Sequence, residues 1–367
     1  MAERLGFLLG KDPTTTHGGD MTMFRAMRAI ADERFETEVI CLSEDPSRVE
    51  SDVVRVAKPP LSWPHLATRS LLGRRSALHV RFDVDGMREA VEASSADRFV
   101  AVHCHLAEPF LRAIDVHSRA DLVVSTEVLE SDIWPRMYGR LGRVEARRLR
   151  RDELRIIGAA VASGGYDRAE MDVLRAAGHD ARWLPLTLPP KPAVDVRDTP
   201  PRLVMLGHRG WRPNAEAAET IVRLWPQISA GITDAELWLV GEHPSKPMAA
   251  LPPGVLDHGF VGDVGPILQT ARALTAPVGI GGGVRVKLLE AAARGIPAVC
   301  TTEAVGSIEA SLGLSAAADE SAFIAHCRTL LADADLAAAE GARLHETNAQ
   351  RWQDRIGQEA VLGWLAA

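Results

Sequence analysis

The chain has 367 residues, of which 46% are hydrophobic and 25% are charged. At roughly 100 to 200 residues per domain, this length predicts two domains, and the composition excludes a chain that is disordered as a whole. The net charge of −7 argues against a surface built throughout to hold nucleic acid. An anionic partner must therefore bind at a local cluster of positive charge.

The cysteines and the apolar stretches indicate the compartment. The four cysteines lie far apart without a C-x-x-C pair, which excludes a zinc knuckle and a disulfide framework. No uncharged stretch reaches the ~18 to 20 apolar residues of a spanning helix, and the start of the chain lacks the apolar core of a signal peptide. The sequence predicts a soluble, cytoplasmic protein.

Short apolar runs alternate with longer segments of helical period, which is the pattern of α/β units around parallel sheets. In chain order, the predicted strands are 5–9, 38–42, 99–103 and 122–125 in the first half, and 203–206, 236–240, 273–277 and 298–300 in the second. Between the halves, six prolines fall within residues 185–201, a density that predicts a linker. Two α/β domains with such a linker place the expected active site in the cleft between them.

The most informative stretch is PVGIGGGVRVKLLEAAARGIPAVC, residues 277–300, where a predicted strand runs into three glycines and then a predicted helix over 286–293. The glycines Gly281, Gly282 and Gly283 let backbone N–H groups converge on a ligand, and the helix that follows offers its positive end. This arrangement predicts a phosphate cradle. The alternative is that the glycines form only a tight turn.

Two cations, Arg285 and Lys287, stand at the start of that helix, where the macrodipole disfavours a cation unless an anion is bound. Their placement favours a diphosphate ligand. Glu290 can accept hydrogen bonds from a ribose diol, or it can pair with Arg294 four residues further on. No cluster of histidines, cysteines and carboxylates has metal-ligand spacing, so no metal site is predicted. The first strand–helix unit lacks G-x-G-x-x-G, which argues against a nicotinamide enzyme.

Four motifs in order resemble the C-terminal domain of retaining glycosyltransferases of the GT-B fold, specifically glycosyltransferase family 4. They are MLGHRGWRPNAEAAE (205–219), LWLVGEHP (237–244), HGFVGDV (258–264) and GGGVRVKLLEAAARGIPAV (281–299). The resemblance implies two Rossmann-like parallel-sheet domains facing a central cleft. It also implies a nucleoside diphosphate sugar as co-substrate, no cofactor or metal, and a hydroxyl acceptor that is a glycan, a lipid-linked molecule or a small molecule.

The implied domains are an acceptor-binding domain at 1–186, the linker at 187–201, a nucleotide-sugar-binding domain at 202–345, and a C-terminal helix at 346–367 that packs back on the first domain. Matched position by position, the resemblance assigns donor binding to Gly18, Gly19, Gly207, Arg209, Arg212, Phe260, Gly281, Gly282, Gly283, Val284, Arg285, Lys287 and Glu290.

Several of these assignments have structural alternatives. Arg209 or Arg212 would meet the pyrophosphate, because a guanidinium fork suits phosphate oxygens. The same stretch can also be a helix start capped by Asn214. Gly18 and Gly19 resemble the glycine-rich loop that approaches the donor phosphate, or they form an ordinary turn.

On the acceptor side, the candidate catalytic residues are His105, which resembles the family's cleft histidine, and Glu130. His103 lies two residues earlier on the predicted strand, so alternation should turn it away from His105. Glu127 and Val128 stand where the family has His-Asn, which leaves the acceptor chemistry without its usual pair.

Residues 136–155 contain eight arginines against three acidic residues. They form either a solvated amphipathic helix or a surface that docks to an anionic acceptor or a membrane, to which Arg74 and Arg75 would contribute. Gly282 stands where the family commonly has a glutamate. Two other functions remain open: a sugar-nucleotide 2-epimerase of the same architecture, which Gly282 disfavours, and a non-catalytic nucleotide-sugar-binding protein.

Overall fold

A computed structural model describes residues 3–15, 18–113, 120–242, 251–280 and 283–367. The chain separates into two compact units, unit 1 (Met1–Leu186 with Gln358–Ala367) and unit 2 (Thr187–Gly357). None of the helices in the described part of the chain is long and apolar enough to cross a membrane.

The strands of unit 1 are β1 (Arg4–Leu9), β2 (Glu36–Ser43), β3 (Val53–Ala57), β4 (Arg98–Ala101), β5 (Asp121–Ser125), β6 (Ala162–Gly165) and β7 (Ala181–Trp183). Within the described residues they form one sheet in the order β3-β2-β1-β4-β5-β6-β7, and every neighbouring pair is parallel. Consecutive residues of β4 such as Val100 and Ala101 are fully buried. Because consecutive side chains point to opposite faces, both faces of the sheet are covered there.

The helices of unit 1 before its return segment are α1 (Gly19–Ala31), α2 (Trp63–Leu72), α3 (Ala77–Phe82), α4 (Asp85–Ala93), α5 (Glu108–Ala113), α6 (Glu130–Ala159) and α7 (Arg168–Ala176). A short 3-10 helix at Cys104–Ala107 precedes α5. Helix α6 is interrupted at Gly139, whose φ of 57° and ψ of −125° are not helical. The arginine-rich segment 136–155 therefore lies on α6, mostly after this break.

The strands of unit 2 are β8 (Arg202–Leu206), β9 (Glu236–Val240), β10 (Val255–Gly259), β11 (Ala273–Ala276), β12 (Ala298–Thr301) and β13 (Ala316–Ala317). In the described part of this unit they form a parallel sheet in the order β10-β9-β8-β11-β12-β13. The helices that follow α7 in the chain are α8 (Arg212–Ser229), α9 (Gly265–Leu268), α10 (Val286–Arg294), α11 (Thr302–Val305), α12 (Ile308–Leu312), α13 (Glu320–Ala332), α14 (Ala334–Gln353) and α15 (Ile356–Leu365).

The predicted fold class is confirmed, since each unit is α/β with a parallel sheet, and the eight predicted strands correspond to β1, β2, β4, β5, β8, β9, β11 and β12. The strand predicted at 99–103 ends at Ala101, because the chain turns there toward the 3-10 helix. Four of the five strands that sequence analysis missed are short or polar, and the fifth, β3, is a largely exposed edge strand. Strand β6, for example, reads ASGG, and glycine weakens the strand signal.

Two predicted segment boundaries differ from the structure. Residues 187–201 are part of unit 2 rather than a separate linker, since Lys191 N donates to Ala293 O at 2.8 Å and Val194 N to Arg294 O at 2.9 Å. The segment 346–367 is not one helix, because α14 ends at Gln353 and α15 begins at Ile356.

Helix α15 is held against the sheet of unit 1. The guanidinium of Arg98 donates to Leu365 O, and Arg182 Nη1 donates to Gly363 O at 2.6 Å. Between these contacts Trp364 is completely buried. A Cβ added to Gly164 of β6 would lie 2.8 Å from Trp364 Cε2, so glycine at this position makes room for the indole.

We expect Trp364→Ala to lower the free energy of unfolding by about 3 to 5 kcal/mol, because it leaves a cavity of indole size beside the sheet. The measurement is urea unfolding followed by circular dichroism. Trp63→Ala is the matched control, since Trp63 is 70% exposed, and its effect should stay within about 0.5 kcal/mol. Equal stability of the two variants would contradict the packing of α15.

Candidate functional site

In unit 2, the loops after β8 and β9 approach each other closely. A Cβ added to Gly207 would lie 2.7 Å from Asn214 Cγ. A Cβ added to Gly241, whose φ is 138°, would lie 2.1 Å from Gly207 O. Both positions therefore require glycine, and the two loops form a tight layer at the carboxyl ends of the strands, where ligands bind in open α/β sheets.

Asn214 joins the loop after β8 to the start of α10. Its Nδ2 donates to His208 O at 3.1 Å, and its Oδ1 accepts from Lys287 Nζ at 2.9 Å. The interpretation of Asn214 as a helix cap is wrong: the N-cap residue of α8 is Trp211, and Asn214 lies within the first turn. The side chain links two loops instead of closing one helix.

Lys287 is a half-buried cation at the second position of α10. Within the described residues, its ammonium bonds to the neutral amide of Asn214 and pairs with no carboxylate. Burial lowers the pKa of Lys287 to about 8. The positive end of α10 and the loss of water both disfavour the charged amine, and a bound anion would relieve both effects.

The residues before α10 form the rest of this loop. Gly283 has a φ of 70°, a left-handed conformation that glycine adopts without steric cost, and Val284 after it is half-buried. Arg285 is the N-cap residue of α10, and its guanidinium donates to Gly283 O. Gly281 and Gly282, which were assigned to donor binding, lie outside the described residues.

The two arginines predicted for the pyrophosphate have different surroundings. Arg209 is buried, and its Nη1 and Nη2 donate to the carboxylate of Asp257 at 2.7 and 2.6 Å. Arg212 begins α8 with an exposed side chain that donates to Glu216 at 2.6 Å. Arg209 therefore holds the loop after β8 against strand β10, and Arg212 is the one of the two that faces solvent.

Glu290 and Phe260 complete the predicted donor site. Glu290 Oε2 accepts from Arg294, the structural alternative considered for it, and also from Lys191 Nζ at 3.2 Å. A ribose contact would have to share this carboxylate with two cations. Phe260, directly after β10, is 62% exposed.

In unit 1, His103 and His105 lie after β4 has ended, so strand alternation does not separate them. Their rings are stacked with centroids 5.2 Å apart and an interplanar angle of 12°. His105 is buried and packs on Phe82 with ring centroids 4.4 Å apart, whereas the side chain of His103 is 24% exposed. The structure brings both imidazoles to the carboxyl end of the sheet.

Glu127, which sequence analysis treated only as a substitution, lies beside these histidines. Its Oε2 is 3.3 Å from His103 Nε2, and its buried Oε1 has no hydrogen-bond partner among the described residues. Its φ of 39° is unusual for a residue other than glycine. Its position after the carboxyl end of β5 was the signal in the sequence that marks it as a site residue.

Desolvation shapes the titration of this pair. Burial raises the pKa of Glu127, with the negative charges of Asp20 and Glu130 adding to the effect. Burial also lowers the pKa of His103 to about 4. Both shifts favour the uncharged form of each group, an imidazole beside a carboxylic acid.

Glu130, the second candidate catalytic residue, is the first residue of α6. Its Oε2 accepts from Trp134 Nε1 at 2.9 Å, and burial raises its pKa to about 7. A carboxyl that titrates near neutral pH is suited to proton transfer. In the described part of the chain, no group of three or more His, Cys, Asp or Glu could hold a metal ion.

The Gly18–Gly19 turn begins α1. Gly18 is the N-cap residue with a φ of 141°, and its carbonyl accepts from Thr22 N at 3.0 Å. Asp20, next in the chain, pairs with Lys11 Nζ at 2.6 Å, and the charges of both act on His103 and Glu127. The turn therefore lies near His103 and Glu127.

The chain was compared with known proteins. Residues 200–333 match the family model described as Glycosyl transferases group 1. No curated protein matches the sequence. Among solved structures, sucrose-phosphate synthase from Thermosynechococcus elongatus is similar at a TM-score of 0.75 and 16% identity, over 99% of this chain and 98% of that one.

Two further structures are similar along nearly their whole length. WaaG, a glycosyltransferase involved in lipopolysaccharide biosynthesis, has a TM-score of 0.66 and 14% identity, over 97% of this chain and 98% of that one. Anabaena HepE in complex with UDP and glucose has a TM-score of 0.65 and 11% identity, over 100% of both chains. The chain thus has the two parallel-sheet domains of the GT-B fold, and its residues 200–333 form a Glycosyl transferases group 1 domain.

Proposed function

We propose that this protein is a retaining, metal-independent hexosyltransferase of glycosyltransferase family 4, which moves a sugar from a nucleoside diphosphate sugar to a hydroxyl acceptor. The observation that carries the proposal is Lys287, a half-buried ammonium without a carboxylate partner among the described residues, at the positive end of α10. It lies inside the segment that matches the glycosyl transferase model. The complex of Anabaena HepE with UDP and glucose supports a nucleotide-sugar ligand for this architecture.

Unit 2 would stabilise the leaving group. Transfer passes through an oxocarbenium-like transition state in which negative charge builds on the departing diphosphate. This negative charge would be stabilised by Lys287, Arg285 and the N–H groups at the start of α10. Arg212 at the start of α8 would add a further positive charge. Arg209 keeps the loop after β8 in place through Asp257 of β10, and Glu290 and Phe260 would flank the nucleoside.

Unit 1 would supply the acceptor side. His105, Glu130 and the His103–Glu127 pair lie at the carboxyl end of its sheet, where a neutral imidazole can take the proton of the acceptor hydroxyl. The carboxyl of Glu127 would orient His103 and exchange a proton with it. Gly18 and Gly19 would let the backbone N–H groups at the start of α1 bind an anion.

We also propose that the enzyme works in the cytoplasm and contacts a membrane through the arginine-rich segment 136–155. All four cysteines are buried free thiols, which suits a reducing compartment. Six of the eight arginines in this segment are exposed, and a cationic face of this kind attracts an anionic lipid surface.

Lys287→Ala should weaken the binding of nucleoside diphosphates by roughly 10- to 150-fold, because a hydrogen bond to a charged group contributes about 1.5 to 3 kcal/mol. Nucleoside monophosphates should bind more weakly to the wild type and lose less in the variant. The measurement is calorimetric titration with UDP, GDP and ADP and their monophosphates.

Lys58→Ala is the control, since Lys58 is an exposed lysine of unit 1 that lies 3.7 Å from Glu44. Diphosphate affinity of the wild type should also fall as the pH rises through about 8, where Lys287 loses its proton, and the variant should lack this step. An unchanged diphosphate affinity in Lys287→Ala would refute the anion site.

His105→Ala and Glu127→Gln should each slow transfer far more than they weaken nucleotide binding. Loss of a proton-transfer group typically costs about 10² to 10⁴ in rate. Single-turnover transfer or donor hydrolysis, measured beside diphosphate affinity, separates the two effects. His65→Ala, an exposed histidine on α2, is the control.

His103→Ala is expected to behave like Glu127→Gln, because the two side chains form one pair. Glu127→Gln should also change the pH profile of turnover, whereas a purely structural role would leave its shape unaltered. Normal turnover in both His105→Ala and Glu127→Gln would place the acceptor chemistry at Glu130 instead.

A further inference from the structure

The surface of unit 1 carries a pocket of about 430 Å³ beside the end of α2, α5 and α6. Five of its lining side chains are arginines, namely Arg74, Arg75, Arg112, Arg151 and Arg155. None of His103, His105, Glu127 and Glu130 lines the pocket, which has no part in the proposed transfer reaction. So many guanidinium groups around one cavity require either carboxylate partners or a bound anion.

Carboxylates fix three of these arginines. Arg75 and Arg112 each donate to Asp83 at 2.8 Å, and Arg155 pairs with Glu108. These side chains are therefore held in place and largely neutralised. They form a rigid, preorganised wall of hydrogen-bond donors.

The other two arginines are less tightly paired. Arg74 forms no ion pair or side-chain hydrogen bond with the described residues, and its φ of 51° is a left-handed conformation that is unfavourable for a side chain. The nearest carboxylate oxygen to Arg151 belongs to Asp152, 3.9 Å away. Within the described part of the chain, the buried Nε of Arg75 also has no acceptor. The pocket thus keeps positive charge and donors that a phosphate group would satisfy.

Exposed large apolar side chains lie on α2 and α6, the two helices whose residues lead into this pocket. Leu71 and Leu72 at the end of α2 are 70% and 82% exposed, and Leu141 and Val144 on α6 are 82% and 66% exposed. Arg148 ties the two helices together, since its Nη2 donates to the carbonyl oxygens of Ser70 and Arg75 at 2.6 and 2.5 Å. We call the exposed surface of these two linked helices, with its four apolar side chains, the α2–α6 face.

The charge of this face opposes that of the whole protein. Residues 61–75 and 136–155 contain eleven arginines and three acidic residues, whereas the chain has a net charge of −7. A face that is only solvated would not need exposed leucines among its arginines. Exposed apolar side chains between cations are typical of elements that lie in the interface of an anionic bilayer.

We propose that the α2–α6 face docks on an anionic phospholipid membrane, with the arginine pocket binding a lipid phosphate while Leu71, Leu72, Leu141 and Val144 enter the interface. Arg74 and Arg151 contact the phosphate oxygens, and the carboxylate-fixed arginines line the rest of the site. This inference rests on the membrane contact proposed for segment 136–155, names its ligand and pocket, and does not depend on sugar transfer.

The test is flotation of the full-length protein with phosphatidylcholine vesicles, with and without phosphatidylglycerol. Binding should require phosphatidylglycerol and weaken with salt. Each cation near an anionic surface contributes about fivefold, so Arg74→Glu/Arg151→Glu should reduce partitioning by at least about 25-fold. Leu71→Ser/Leu72→Ser should also weaken binding, although it leaves the charge unchanged.

Arg34→Glu/Arg48→Glu is the control, because it makes the same change of charge at exposed positions outside the face. An equal loss of vesicle binding in this control would show that net charge alone attracts the protein. That result would overturn the assignment of the pocket as the lipid-phosphate site. Absence of vesicle binding together with saturable binding of glycerol phosphate would identify a soluble phosphorylated ligand and overturn the membrane assignment. Diphosphate affinity, measured on the same samples, reports separately on the donor site.

Discussion

The hydrogen bond between Lys287 Nζ and Asn214 Oδ1 is the contact on which the proposed donor site depends. It joins the loop after β8 to the start of α10 and holds an ammonium at the positive end of a helix, where burial already lowers its pKa to about 8. A carboxylate partner would have neutralised this cation. A neutral amide fixes its position and leaves its charge for a ligand.

Both units place their unusual side chains at the same end of a parallel sheet, but the charges of these side chains differ. In each, the side chains with unusual electrostatics lie beyond the carboxyl ends of parallel strands, where backbone groups converge. Unit 2 presents a cation that lacks a carboxylate among the described residues, and this suits a diphosphate. Unit 1 presents a buried carboxyl beside an imidazole, and this suits the movement of a proton.

Sequence patterns could predict the central strands and the start of α10, but not the partners of individual side chains. The apolar runs marked the central strands, and the glycines followed by Lys287 marked the start of α10, because both signals are local. The pairing of Arg209 with Asp257 joins residues 48 positions apart, and no local pattern encodes it. Glu127 was missed as a site residue because its role depends on a positive φ and on His103, which only the folded chain brings within 3.3 Å.

The most direct test of glycosyl transfer is incubation of the purified protein with a panel of nucleoside diphosphate sugars, followed by NMR. We expect one donor to be slowly hydrolysed to nucleoside diphosphate and free sugar, since water can replace the acceptor in a transferase. The sugar should first appear with the anomeric configuration that it had in the donor. Appearance of the C2 epimer without release of diphosphate, or a bound donor recovered unchanged, would contradict the account.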